Sequence, residues 1–196
     1  MIRPLIIALL AILAVPAAAA PGKPDTVRVV LTTGKGAITI ALDMKRAPIT
    51  AGNFLAYVDQ KKFDGTTFYR AARTRSAPKI GFIQGGIDHS LRRSLPPIAH
   101  EPTSKTGIKH GDGTISMARN DPGSAMGDFF ITLGPAASMD ARPGNPGYAA
   151  FGRVVDGMDV VRRILAVPTY EGRGAGAMKG QLIIDRVPII TARRAK

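Results

Sequence analysis

The chain has 196 residues, a formal net charge of +13 at pH 7 and no cysteine. The lack of cysteine excludes disulfides, thiolate metal sites and cysteine nucleophiles. A strong positive charge is typical of nucleic-acid-binding proteins, but the basic residues form no block of five or six and aromatic residues make up only 6% of the chain. We therefore expect no specific nucleic-acid site.

The first 19 residues are typical of a secretory signal peptide. Arg3 supplies a positive charge, residues 5–15 are apolar, and small residues precede a predicted cleavage after Ala19. The apolar run is shorter than the roughly 20 residues that span a bilayer, although an uncleaved anchor is the alternative. We expect a periplasmic protein with no transmembrane segment after cleavage.

The length of the mature chain predicts one domain at residues 27–191, preceded by a flexible start at 20–26 and followed by a basic tail at 192–196. Alternating apolar residues at 27–31 and 38–42 predict a β-hairpin. A helix should follow, because one apolar face is formed by Ala51, Phe54, Leu55 and Val58.

Two predicted strands then each carry a polar side chain in line with an aromatic one. Because side chains alternate along a strand, Arg70 should share a face with Phe68, and Gln84 should share a face with Phe82. A polar link is predicted between them at residues 71–79. Arg70 either reaches water from a strand end, as arginine often does, or converges with the amide and the rings on a binding site.

A third strand-like run at residues 128–133 divides its aromatic residues between two faces. Phe129 falls on the apolar face, whereas Phe130 falls on the polar face beside Asp128 and Thr132. An aromatic ring on a polar face indicates either a binding site or a second core on the other side of the sheet.

The loop at residues 88–112 holds all three histidines, but their spacing matches no metal-ligand pattern, and we expect no metal. Glu101 is expected to fix this loop by hydrogen bonds, together with Thr103 and Thr106. A second helix is predicted at residues 157–166, and a last strand at residues 182–190.

Five segments, in the right order, resemble the cyclophilin-type peptidyl-prolyl cis-trans isomerases. They are FYR at 68–70, FIQGG at 82–86, GTISMA at 113–118, GDFFI at 127–131 and FGRVVDGMDVV at 151–161. The resemblance implies a mainly β fold, a closed eight-stranded antiparallel barrel capped by two helices. It also implies a monomeric enzyme without a cofactor that isomerises X-Pro bonds in proline-containing unfolded or exported polypeptides.

The resemblance also assigns the site. Arg70 is expected to be the catalytic donor, Gln84 to hold the substrate carbonyl and Phe130 to form the floor of the proline pocket. An apolar pocket for the proline ring is expected to be lined by Phe130 together with Met117 or Phe82. The other substrate-binding positions that the resemblance implies are Ala118, Arg119, Asp128, Met139 and Tyr148. Phe82 takes the place of either a methionine or a phenylalanine of the family, depending on the register.

Four positions depart from the family pattern. Arg119 stands where an asparagine is usual, Asp128 where a glutamine is usual, Tyr148 where a histidine is usual and Ser138 nearest to a tryptophan. We expect Arg119 and Asp128 to form an ion pair across the rim of the site. These departures are the argument for an alternative function, a non-catalytic peptide-binding chaperone on the same fold, whereas the presence of Arg70, Gln84 and Phe130 favours the enzyme.

Overall fold

The computed structural model describes residues 24–195, which form a closed barrel of eight antiparallel strands with three helices. The strands are β1 Thr26–Thr33, β2 Gly36–Asp43, β3 Thr66–Thr74, β4 Ala77–Gly86, β5 Thr114–Met117, β6 Asp128–Leu133, β7 Ala149–Asp156 and β8 Leu182–Arg194. Around the barrel they follow the order β1-β2-β7-β5-β6-β4-β3-β8. The predicted barrel is thus confirmed, whereas the predicted signal peptide lies outside the described residues.

The helices are α1 Pro48–Asp59, α2 Thr103–Thr106 and α3 Met158–Leu165, and the short α2 was not predicted. Helix α1 buries Phe54, whose ring centroid lies 4.9 Å from that of Phe63 and 5.3 Å from those of Phe129 and Phe151. This aromatic cluster joins α1 to the inner face of the barrel. Within residues 24–195, none of the helices has the length and apolar composition needed to cross a membrane.

The pairing of β3 with β4 changes register at Tyr69. Phe68 lies opposite Gly85 and Arg70 lies opposite Gln84, so Tyr69 is an extra residue without a partner on β4. An extra residue of this kind interrupts the alternation of side chains. Phe68 is fully buried in the barrel core, whereas Arg70 lies on the outer face. The prediction that these two side chains share a face was therefore wrong.

The predicted polar link at 71–79 is mostly strand, because β3 and β4 continue to a tight turn at Arg75 and Ser76. Arg73 fixes this extension, since its Nε donates to the carbonyl of Leu165 at 2.7 Å and its Nη2 donates to the carbonyl of Val167. These carbonyls lie at and just beyond the C-terminal end of α3, where free acceptors remain.

The last strand is longer than predicted. Ala192 to Arg194 pair with β1 instead of forming a tail. Arg193 donates to Asp64 at 2.7 Å and Arg194 donates to Asp59 at 2.6 Å. These hydrogen bonds hold the pKa of both carboxyl groups below their usual value. Two ion pairs thus fix Arg193 and Arg194, which were predicted to belong to a basic tail.

Glu101 fixes the start of α1. Its side chain is buried, and its Oε2 accepts hydrogen bonds from the backbone N–H of Thr50 at 2.7 Å and from the Thr50 hydroxyl at 2.6 Å. Its Oε1 accepts from the backbone N–H of Ile49 at 3.3 Å. Free N–H groups and the positive end of the helix dipole both favour a carboxylate at this position. The predicted fixing of the loop by hydrogen bonds is therefore confirmed for Glu101.

We expect Glu101→Gln to lower the free energy of unfolding by about 1–3 kcal/mol, because the charge and one acceptor of a buried hydrogen-bonded group are lost. Chemical denaturation monitored by circular dichroism measures this change. Glu171→Gln is the matched control, since Glu171 is exposed. An equal loss in both variants would contradict the role of Glu101.

Candidate active site

The pairing of four strands places four residues side by side on the outer face of the barrel. Arg70 of β3 lies opposite Gln84 of β4, Gln84 lies opposite Phe130 of β6, and Phe130 lies opposite Ser116 of β5. Directly opposed residues lie close enough for their side chains to interact. The backbone therefore brings together residues that are far apart in sequence.

A cavity of about 450 Å³ opens over this part of the barrel. Its walls contain all of the predicted site residues except Met117, namely Arg70, Phe82, Gln84, Ala118, Arg119, Asp128, Phe130, Met139 and Tyr148. Met117 is buried in the barrel core, because Ser116 takes the outward position on β5 and the next side chain points inward. The expectation that Met117 lines the pocket was therefore wrong.

Three rings form an aromatic row along the cavity. The centroid of Phe130 lies 5.5 Å from that of Phe82 and 5.3 Å from that of Tyr148. A guanidinium lies at each end of the row. The Cζ of Arg70 is 4.8 Å from the centroid of Phe82, and the Cζ of Arg119 is 5.0 Å from that of Tyr148. The site thus combines an apolar floor with two flanking cations.

The guanidinium of Arg70 is held by three neutral acceptors. Its Nη1 donates to Oε1 of Gln84 at 2.9 Å, its Nε donates to Oε1 of Gln181 at 2.8 Å, and its Nη2 donates to the carbonyl of Ala177 at 3.0 Å. A guanidinium has five N–H donors, so two remain for a ligand. Burial lowers the pKa of Arg70, yet an arginine stays charged at neutral pH.

Gln181 and Ala177 carry no sequence signal that marks them as site residues. Both lie more than 100 residues from Arg70, and no periodic pattern links them to it. The segment that precedes β8 thus forms part of the cavity wall and holds the arginine in place.

Tyr69 is a further residue that the sequence did not identify, and it lies beneath the cavity. Its hydroxyl accepts a hydrogen bond from Nε2 of Gln84 at 2.8 Å and donates one to Oδ1 of Asp128 at 3.1 Å. Burial, reinforced by the charge of Asp128, raises the pKa of Tyr69 far above its usual value, so the phenol stays neutral and can donate. Its hydroxyl therefore connects Asp128 to the amide that contacts Arg70.

Asp128 does not form the predicted ion pair with Arg119. Its Oδ1 also accepts from the backbone N–H of Asp88 at 2.8 Å, and its Oδ2 accepts from that of His89 at 3.3 Å. Burial raises the pKa of Asp128 despite these bonds. Arg119 donates instead to the carbonyls of Asn120 and Gly147. Local N–H groups and the Tyr69 hydroxyl thus satisfy the carboxylate.

His110 supports Phe130 from the outer side of the sheet. Its ring stacks on Phe130 with a centroid distance of 5.9 Å and an interplanar angle of 11°. Its Nδ1 lies 2.8 Å from Asp140 and its Nε2 lies 3.0 Å from the hydroxyl of Ser116. Burial lowers the pKa of His110, although Asp140 opposes this shift. Among the described residues, histidines and carboxylates form no group of three that could hold a metal.

The sequence model of the family described as cyclophilin type peptidyl-prolyl cis-trans isomerase/CLD matches residues 28–190. A peptidyl-prolyl cis-trans isomerase of Streptomyces antibioticus is 39% identical over 148 residues, which cover 74% of this chain and 86% of that protein. Peptidyl-prolyl cis-trans isomerase A of Dickeya dadantii is 38% identical over 146 residues, which cover 72% of each chain.

The fold has close counterparts among solved structures. A cyclophilin-type peptidyl-prolyl cis-trans isomerase of Cryptosporidium parvum, solved in the presence of the dipeptide Ala-Pro, superposes with a TM-score of 0.70 at 20% identity, covering 86% of this chain and 99% of that one. At this level of identity the superposition shows the fold alone. The family model and the two bacterial relatives go further, and this chain belongs to the cyclophilin-type peptidyl-prolyl cis-trans isomerase family.

Proposed function

We propose that this chain accelerates the cis–trans isomerisation of X-Pro bonds in polypeptides, with Arg70 as the catalytic donor. The observation that carries the proposal is a charged guanidinium with two unused N–H donors beside the ring of Phe82, at one end of the aromatic row. The chain's membership of the isomerase family supports the same activity.

The chemistry requires little beyond this arrangement. The barrier to rotation is about 18–20 kcal/mol and arises from the partial double bond between the carbonyl carbon and the proline nitrogen. Donating a hydrogen bond to the proline nitrogen draws its lone pair out of conjugation and stabilises the twisted state. In a partly enclosed cavity such a bond is stronger than in water. We assign this donation to Arg70.

The other cavity residues position the peptide in this proposal. The proline ring packs on Phe130, with Phe82, Met139 and Tyr148 closing its sides. Gln84 uses one Nε2 hydrogen on Tyr69, which leaves its second hydrogen for the substrate carbonyl. The backbone of Ala118 binds the extended peptide at the rim.

We further propose that the protein acts in the periplasm on exported polypeptides. The signal-like composition of residues 1–19 supports export. The absence of cysteine from the whole chain suits an oxidising compartment, where a free thiol would be reactive. Fractionation of cells that express the full chain, followed by N-terminal sequencing of the product, tests both the location and the cleavage after Ala19.

We expect Arg70→Ala to lower kcat/KM by roughly 100-fold to 1,000-fold, the cost of removing one donor that stabilises a transition state. Exchange NMR of a short Ala-Pro-Phe peptide measures the rate without a coupled protease. The uncatalysed reaction takes tens to hundreds of seconds, so weak catalysis is also detectable. Arg75→Ala, at the exposed β3–β4 turn, is the control for loss of a positive charge.

Near-spontaneous rates for both the unmodified protein and Arg70→Ala would rule out the enzyme and favour the chaperone alternative. In that case suppression of client aggregation should persist in Arg70→Ala. If the unmodified protein had both activities and Arg70→Ala lost isomerisation and aggregation suppression together, this result would count against a separate chaperone function.

We expect Tyr69→Phe to lower kcat by about 2-fold to 10-fold, the value of one hydrogen bond that fixes the Gln84 amide. KM should rise as well, because Gln84 also holds the substrate carbonyl, whereas the cavity wall itself stays unchanged. The same NMR assay over a series of peptide concentrations separates the two constants. Tyr170→Phe is the control, since its ring lies against Arg173 outside the cavity wall. An unchanged kcat in Tyr69→Phe would refute the positioning role.

A further inference from the structure

Arg119 carries a positive charge that no described carboxylate neutralises. Its Nη1 donates to the carbonyl of Asn120 at 3.0 Å, its Nη2 donates to the carbonyl of Gly147, and its Cζ lies over the ring of Tyr148. All three partners are neutral. The guanidinium therefore has no acidic neighbour among these contacts at the end of the aromatic row that lies opposite Arg70.

The cavity as a whole is positively charged. Asp128 is the only carboxylate among the described residues of its wall, and both of its oxygens are already bonded, to Tyr69 and to two backbone N–H groups. His89 lies beside it, with 4.0 Å between Nδ1 and Oδ2. Two guanidinium groups thus line the cavity, whereas its single carboxylate is only 6% exposed and is already hydrogen-bonded. Charges in a half-enclosed cavity are less screened than charges in open water.

Arg119 also has donors to spare. One hydrogen of Nη1 and one of Nη2 are used by the carbonyls, which leaves the second hydrogen of each nitrogen for a ligand. A carboxylate can only accept hydrogen bonds, and its two oxygens match the forked geometry of a guanidinium.

We propose that Arg119 determines substrate specificity by binding the carboxylate of an acidic residue directly before or after the proline. This inference rests on the proposed function, which places the proline ring on Phe130. The next residues of an extended peptide then lie near Tyr148 and Arg119. The resulting substrate class is X-Pro segments in which glutamate or aspartate flanks the proline.

Binding of end-blocked peptides tests the inference directly. The pair Ala-Glu-Pro-Phe and Ala-Gln-Pro-Phe places the charge before the proline, and the pair Ala-Ala-Pro-Glu and Ala-Ala-Pro-Gln places it after. NMR titration should give a dissociation constant about 5-fold to 10-fold lower for the glutamate peptide of at least one pair at low ionic strength. The preference should shrink in about 0.5 M NaCl, where exposed charges are screened.

The variants assign the preference to one residue. Arg119→Gln should bring the dissociation constants of the two peptides in each pair within about 2-fold of one another. Arg119→Lys should retain part of the preference, because lysine keeps the positive charge but lacks the forked guanidinium. Arg142→Gln removes the same charge from an exposed position outside the cavity wall and should keep the full preference. Equal constants within both pairs, or a preference that survives in Arg119→Gln, would overturn the inference.

Turnover measured on the same samples separates this inference from the proposed function. Selective binding without isomerisation would support the charge preference and reject the enzyme. Isomerisation of all peptides with equal binding constants within both pairs would support the enzyme and reject the preference.

Discussion

A guanidinium can only donate hydrogen bonds and an ionised carboxylate can only accept them, and the site depends on this asymmetry. Arg70 and Asp128 lie at the two ends of a chain of hydrogen bonds that passes through Gln84 and Tyr69. Because Arg70 can only donate and the Asp128 carboxylate can only accept, the direction of every hydrogen bond between them is fixed. The Gln84 amide must turn its oxygen toward Arg70, and the Tyr69 hydroxyl must donate to Asp128. The orientation of the Gln84 amide is therefore set by Arg70 on one side and by Tyr69 and Asp128 on the other.

The barrel holds the floor of the site equally firmly. Consecutive residues of β6 divide between two environments, with Phe129 in the central aromatic cluster and Phe130 in the cavity wall. A shift of Phe130 would require β6 to move against that cluster, and protein interiors are too closely packed to allow this easily. His110 adds a second restraint from outside the sheet.

Much of the fold was predictable because alternation along a strand is a local signal. It identified the hairpin of β1 and β2 and the division between Phe129 and Phe130. It failed at Tyr69, since a bulge is defined by the partner strand and leaves no mark of its own in the sequence. It could not find Gln181 or His110 either, because their roles arise from contacts between distant segments. The family resemblance supplied most of the cavity residues, whereas the expectation that Met117 lines the apolar pocket overlooked the alternation on β5, which places Met117 in the core.

The extra residue in β3 makes the enzyme unusually sensitive to chain length at one point. Deleting Tyr69 would leave Phe68 in the core and Arg70 in the cavity, as simple alternation requires, but it would remove the hydroxyl that connects Gln84 to Asp128. At the β3–β4 turn, by contrast, an added residue extends an exposed loop and leaves the cavity register unchanged. During evolution, insertions and deletions should therefore accumulate at the turn and be eliminated at the bulge, although the turn directly follows the strand that contains the bulge.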